Sequence, residues 1–161
     1  MPVEHLRAAD RHPTPWRNGG GVTREVVSTD FSRVSLAEIA ADGPFSAFPD
    51  QQRILTVLSG EGIELTIGDA PPVVVPPLQP FAFPGGAATA CRLLGGPVTA
   101  LNLITRHPDP AITLHPPATL HPAPGRPHLA IDLTTLDATL ITHPSTTPTP
   151  TPAGPCAVLT L

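Results

Sequence analysis

The chain has 161 residues, of which 40% are hydrophobic and only 14% charged, with 13 glycines and 24 prolines. All nine basic residues are arginine and the formal net charge is -4, a balance that argues against a phosphate-binding surface and so against nucleic acid as a partner. A chain so poor in helix formers and so rich in turn residues reads as all-β.

Such a length buries a core as one domain or as two small fused ones. Cys91 and Cys156 lie far apart with no CxxC spacing, so they read as buried thiols rather than a disulfide, a zinc knuckle or a redox pair. The start "MPVEHLRAAD" is charged and lacks an apolar core, and no segment approaches about 18 consecutive apolar residues. A cytoplasmic protein with no membrane partner is the expectation.

In chain order, residues 1–15 read as an entry strand or loop, because Pro2, Pro13 and Pro15 forbid a long helix. "GGGVTREVVS" opens a strand with Thr23, Glu25 and Val27 on one face and Val22, Arg24 and Val26 on the other. "RVSLAEIA" is a second alternating run that ends at the turn "ADGP". "RILTVLSGEGIELTIG" reads as two strands joined in a hairpin at Gly60 to Gly62. Its first strand puts Arg53, Leu55 and Val57 on one face, so a charge heads an otherwise apolar stripe.

The prolines of "PPVVVPPLQPFAFPGG" confine that stretch to edges and short strands, with Phe81 and Phe83 on a common face. "ATACRLLGGPVTALNLITR" reads as two antiparallel strands around "GGP", the second placing Asn102, Ile104 and Arg106 together. From residue 107 proline-rich segments enclose short strands, "AITLH", "HLAIDL", "ATLITH" and "AVLTL", and "STTPTPTPAGP" is a low-complexity extended loop. About ten short strands without a helix suit a barrel or sandwich. His107, His115, His121 and His143 each precede a proline, and their spacing matches no metal-ligand pattern. GxSxG, HExxH, P-loop and GxGxxG motifs are absent.

Laid over the first cupin motif and anchored at Gly60, the chain resembles a cupin with its metal ligands replaced. Arg53 falls on the glutamate, Ser46 and Phe48 on the two histidines, and Phe81, in "PPLQPFAF", on the third histidine. Such a set cannot hold a divalent cation, since transition metals need N, O or S donors and a guanidinium repels them. A fixed cation between aromatic walls suits a small carboxylate instead.

"PWRNGGGVTREVV", "RVSLAEIAADGPFSAFP", "PLQPFAFPGG", "RLLGGPV" and "LNLITR" together resemble the HutD/Ves family over residues 15–106. The resemblance implies a bicupin-like jelly roll, with residues 1–106 as the first barrel including the N-terminal strands and 107–161 as a shortened, proline-rich second half. It also implies a non-catalytic, metal-free protein without cofactor that acts in the regulation of histidine utilisation. Its ligand would be a carboxylate such as urocanate or a formylated glutamate.

Candidate ligand contacts are Arg53, Arg106, Asn102, Arg24, Trp16, Asn18, Phe48 and Phe81. Arg53 either contacts a ligand or pairs with Glu64, Glu61 or another rim acid; "WRNGGG" either brings backbone amides to the cavity or uses Trp16 as a core plug and Asn18 as a turn former. A second reading is a metal-independent isomerase or hydrolase of a small organic acid, with Glu25 or Glu38 as general base, although pairing with arginine is the plainer role of both. A third is a scaffold that forms a homodimer through an exposed sheet.

Overall fold

The computed structural model describes residues 3–114, 119–120, 125–142, 149–150 and 154–161, with only the backbone for 119–120 and 149–150. His115, His121, His143 and most of "STTPTPTPAGP" lie outside the described residues. The chain divides into two compact units, one of His12–Pro108 and one that joins Met1–Arg11 to Asp109–Leu161.

Among the described residues the regular structure is strand, apart from one turn of 3-10 helix at Ala8–Asp10. In chain order the strands are β1 (Val3–Leu6), β2 (Pro13–Pro15), β3 (Gly21–Ser28), β4 (Ser32–Ile39), β5 (Gly43–Pro44) and β6 (Gln52–Ser59). They continue with β7 (Ile63–Ile67), β8 (Val73–Val75), β9 (Phe81–Pro84), β10 (Thr89–Leu93), β11 (Val98–Thr105) and β12 (Ala111–Leu114). The last are β13 (Thr119–Leu120), β14 (His128–Asp132), β15 (Ala138–Ile141), β16 (Thr149–Pro150) and β17 (Cys156–Thr160).

The larger unit is a jelly roll of two antiparallel sheets, a six-stranded one in the order β2-β3-β4-β11-β6-β9 and a four-stranded one in the order β5-β10-β7-β8. Inward residues of both sheets form one core: Ala37, Ile39, Leu55, Val57 and Ala100 from the first, Ile63, Leu65, Val75 and Cys91 from the second. Leu55, Ile63 and Leu65 have no exposed surface, and each such burial contributes roughly 1.5–3 kcal/mol.

The glycine turn after β6 does not make the expected hairpin. β6 pairs with β11 and β9, whereas β7 pairs with β10 and β8, so Gly60 to Gly62 carry the chain from one sheet to the other. Both glycines have φ of 101°, and a Cβ on Gly60 would stand 2.6 Å from the Val98 side chain and 2.8 Å from the Pro97 carbonyl. Only glycine fits so close a crossing. "GGP" does the same between β10 and β11, which also lie in different sheets. Alternation within each strand was readable, but the partner of a strand is set by non-local packing.

β3 departs from simple alternation as well. Its register against β4 shifts between Glu25 and Val27, so Val26 is buried while Val27 is only half-buried. A bulge of this kind re-aims the side chains beyond it.

The second unit contains a five-stranded antiparallel sheet in the order β1-β15-β14-β17-β12 and the short pair β13-β16. β12, β14, β15 and β17 fall on the four apolar runs named from sequence. β1, grouped from sequence with the first barrel, pairs with β15 from Val3↔Ile141 to Leu6↔Ala138. Cys91 and Cys156 are both free and buried. Among the described residues no helix is long and apolar enough to cross a membrane.

Candidate functional site

Three neighbouring strands of the six-stranded sheet change character in step. Deep in the barrel the register aligns Val57 with Ala100 and Ala100 with Ala37, an apolar row. Two residues along, Leu55 meets Asn102 and Asn102 meets Ser35; two further, Arg53 meets Ile104 and Ile104 meets Arg33. Because side chains repeat every second residue, all these groups lie on one face. The polar end of that face opens into a cavity of about 480 Å³, whose wall includes Arg53, Asn102, Ser35, Ile104 and Arg33.

Arg53 is the unusual group. It is 6% exposed, and among the described residues no carboxylate pairs with it. One Nη donates to the Ser46 carbonyl at 3.1 Å and the other to Asn102 Oδ1 at 3.3 Å, while Nε is buried without a partner. Its guanidinium carbon lies 5.3 Å from the Phe45 ring centre, 5.3 Å from Phe48 and 5.0 Å from Phe83. Three ring faces attract the cation through their quadrupoles and also exclude water. A guanidinium has five N–H groups, so the two hydrogen bonds leave three of them unengaged.

Burial pushes the Arg53 guanidinium down to about 10, which leaves it cationic at neutral pH. The sign of the consequence follows from the two states: this base is less willing to hold its proton folded than unfolded. Its charge therefore lowers stability below about pH 10, and that cost fades as pH rises toward the ordinary arginine range. An anion bound in the cavity would offset the same cost.

The chain has no tyrosine, and every basic residue is arginine, while burial pushes the Cys91 thiol up to about 11. Carboxylate affinity is expected to stay flat from about pH 6 to 9, where the guanidinium keeps its proton, and to fall only at strongly alkaline pH, as the guanidinium loses it. Fluorescence of Trp16, the single tryptophan, would follow it; affinity that already falls between pH 6 and 9 would mean that a group other than Arg53 carries the binding.

The loop between β5 and β6 lays Phe45, Ser46 and Phe48 over Arg53. It is fastened by Phe45 N–H to the Thr89 carbonyl at 2.9 Å, by Phe48 N–H to the Gly85 carbonyl at 2.6 Å and by Gly85 N–H to the Gln51 carbonyl at 2.8 Å. Beside this loop the wall continues in the "WRNGGG" turn, where Asn18 Oδ1 accepts from the Gly20 N–H at 2.8 Å. Trp16 Nε1 donates to Thr23 Oγ1 at 2.7 Å, and its ring meets Phe45 edge-on at 6.1 Å. Asn18 thus forms a turn and Trp16 packs on the core, while the side chains of both also border the cavity; the Gly19 and Gly20 amides are taken up inside the turn, by the Trp16 carbonyl and Asn18 Oδ1.

Of the residues singled out from sequence, Arg53, Asn102, Trp16, Asn18 and Phe48 come together on the cavity wall. Arg24, Arg106 and Phe81 do not. Arg24 pairs with Glu38, on the face of β3 opposite Thr23. Arg106 lies beyond the end of β11, exposed, with its backbone N–H on the Phe31 carbonyl. Phe81 is opposite Leu55 and packs on the core, so the ring beside the guanidinium is Phe83, one alternation later.

Glu64, weighed as a partner of Arg53, pairs with Arg92, and Glu25 pairs with Arg33. Neither Glu25 nor Glu38 lines the cavity, and among the described residues its wall carries no Asp or Glu. Arg33, Ser35, Thr23, Ser46 and Phe45 line it without having been proposed as contacts. A signal existed for Arg33, which heads the stripe Arg33, Ser35, Ala37, Ile39 just as Arg53 heads its own. Among the described residues no three His, Cys, Asp or Glu side chains come together as a metal site. The donor set around Arg53, a cation with three phenyl rings and a serine carbonyl, does not fit the divalent ion of metal-bearing cupins.

The architecture is that of a cupin jelly roll built around a cationic, aromatic-walled cavity. The model of the HutD family matches residues 8–118, and the chain belongs to that family. It is 41% identical over 109 residues to an uncharacterized 21.2 kDa protein in the hutC 3' region of Pseudomonas putida, covering 63% of this chain and 57% of that protein. It is 39% identical over 98 residues to protein Ves of Escherichia fergusonii, covering 56% of this chain and 51% of that one. The chain thus spans little more than half the length of these two relatives. The solved structure of HutD from Pseudomonas fluorescens SBW25, in a formate condition, superposes with a TM-score of 0.85 at 27% identity over 99% of this chain and 97% of that one.

Proposed function

We propose that this protein binds a small organic acid in the jelly-roll cavity and acts as a non-catalytic ligand-binding member of its family, in the regulation of histidine utilisation. One observation carries the reading: a buried guanidinium, ringed by phenyl groups, that among the described residues has no carboxylate beside it. A charge in that setting costs several kcal/mol of desolvation, and two hydrogen bonds to neutral oxygens together with the three ring faces offset part of it without supplying a counter-charge. An incoming carboxylate supplies the missing counter-charge through charge-assisted, geometrically matched hydrogen bonds.

The wall chemistry supports a partly apolar acid. Ile39, Ala37, Ile104 and Pro44 alternate with the polar Ser35, Asn102 and Thr23, which is the mixture of apolar contact and few fixed polar groups typical of small-ligand sites. Urocanate and N-formylglutamate are the acids to try first. Calorimetric titration should give saturable binding for these acids and at least tenfold weaker binding for the corresponding amides, which keep the shape and lose the charge. Amides that bind as well as the acids would overturn the proposal.

A further inference from the structure

Arg53 is not the sole cation on the cavity wall. The register puts Arg53, Ile104 and Arg33 in one row across β6, β11 and β4, on the same face. With two strand spacings between them, the Cα atoms of the two arginines are about 10 Å apart. Arg33 differs from Arg53 in having a carboxylate of the protein nearby, since its Nε is 3.3 Å from Glu25 Oε1. That contact is poorly formed: Arg33 Nε is buried without a well-aligned hydrogen bond, and the Arg33 and Glu25 side chains are 40% and 53% exposed. Exposed pairs of this geometry contribute little. Glu25 is outside the cavity wall, whereas Arg33 is part of it.

We infer that the cavity takes a dicarboxylate, one carboxylate on Arg53 and the second on Arg33 across Ile104, with Glu25 holding Arg33 until the second carboxylate replaces it. The inference rests on the carboxylate reading of Arg53 and extends it to the class of acid. Between the two cations the row is filled by Ile104, with Ala37 deeper on the same face, so a hydrocarbon spacer has an apolar floor. Exchanging Glu25 for a ligand carboxylate keeps Arg33 paired and adds a second anchor. A monocarboxylate seated on Arg53 leaves Arg33 with Glu25 and gains nothing there. Arg17 also borders the cavity, but it is exposed in the "WRNGGG" turn, whereas Arg33 is fixed in strand register with Arg53.

Glutarate and pentanoate share a five-carbon chain and differ in the second carboxylate, so they isolate the point. At pH 7 and low salt, with Trp16 fluorescence or calorimetry as the readout, glutarate is expected to bind about five- to tenfold more tightly than pentanoate. Arg33→Gln, combined with Glu25→Gln so that no unpaired carboxylate is left beside the cavity, should erase that preference, and an unchanged thermal unfolding transition would show that the fold is intact. Glu25→Gln should tighten glutarate more than pentanoate. Equal affinities in the wild type, or a preference that survives the double substitution, would overturn the inference while leaving the Arg53 site standing. Failure of both acids to bind would overturn both.

Discussion

Arg53→Met is expected to weaken carboxylate binding at least about 100-fold, equivalent to roughly 2.7 kcal/mol, while leaving the unliganded protein at least as stable as the wild type. The two effects separate because Arg53 makes no ion pair among the described residues and its charge is held against desolvation. Replacing a buried charge with an apolar side chain of similar length is often neutral or stabilising by about 1–4 kcal/mol. Here the gain is reduced by the Asn102 Oδ1 that loses its donor, so a rise of up to about 2 kcal/mol is the expectation. Arg53→Lys keeps the charge and loses the fork, and should fall between, about tenfold weaker than wild type. Chemical denaturation alongside the titrations would check both halves. A Met variant that unfolds several kcal/mol more easily would make Arg53 a structural support instead.

Gly85→Ala should cost about 2–3 kcal/mol of stability and weaken carboxylate binding about tenfold. A Cβ at this position would stand 2.7 Å from the Phe48 carbonyl oxygen, 2.9 Å from that of Gln51 and 3.1 Å from Phe48 Cβ. The first two are backbone atoms, and the same segment holds the hydrogen bonds of 2.6 and 2.8 Å that fasten the loop beneath Phe48. The methyl group therefore lifts the loop, and with it a ring that covers Arg53. Gly86→Ala is the control: its Cβ would come no closer than 3.4 Å, to Pro49 Cα, and should change stability by less than about 0.5 kcal/mol. Equal effects of the two substitutions, measured by thermal unfolding and titration, would remove the loop from the account.

The strands of this protein are legible in its sequence because period-two alternation and glycine or proline punctuation are local signals. The runs from "RVSLAEIA" to "AVLTL" fall on observed strands. Sheet membership is not local. "LSGEG" and "LGGP" carry the marks of tight hairpins, yet each passes the chain between sheets, since in a jelly roll a short turn can as well bridge two layers as two neighbours.

The site divides along the same line. Arg53 was found because a charge heading an apolar stripe is visible within one strand, and Asn102 because it shares a face with its neighbours. Phe81 was preferred to Phe83 because the motif alignment put it on the third histidine position; both share a face, and only the pairing of Phe83 with Arg53 tells them apart. Arg106 continued the β11 pattern in sequence, but the strand ends at Thr105. Arg24 belongs to the face that pairs with Glu38.

The most direct measurement is a crystal structure of the protein with a short carboxylate such as pentanoate at saturating concentration. The account predicts both carboxylate oxygens within about 2.7–3.2 Å of Arg53 nitrogens, beneath the rings of Phe45, Phe48 and Phe83, with the guanidinium unmoved. A carboxylate ordered elsewhere, or an Arg53 turned out to solvent or paired with an acid of the chain itself, would contradict it.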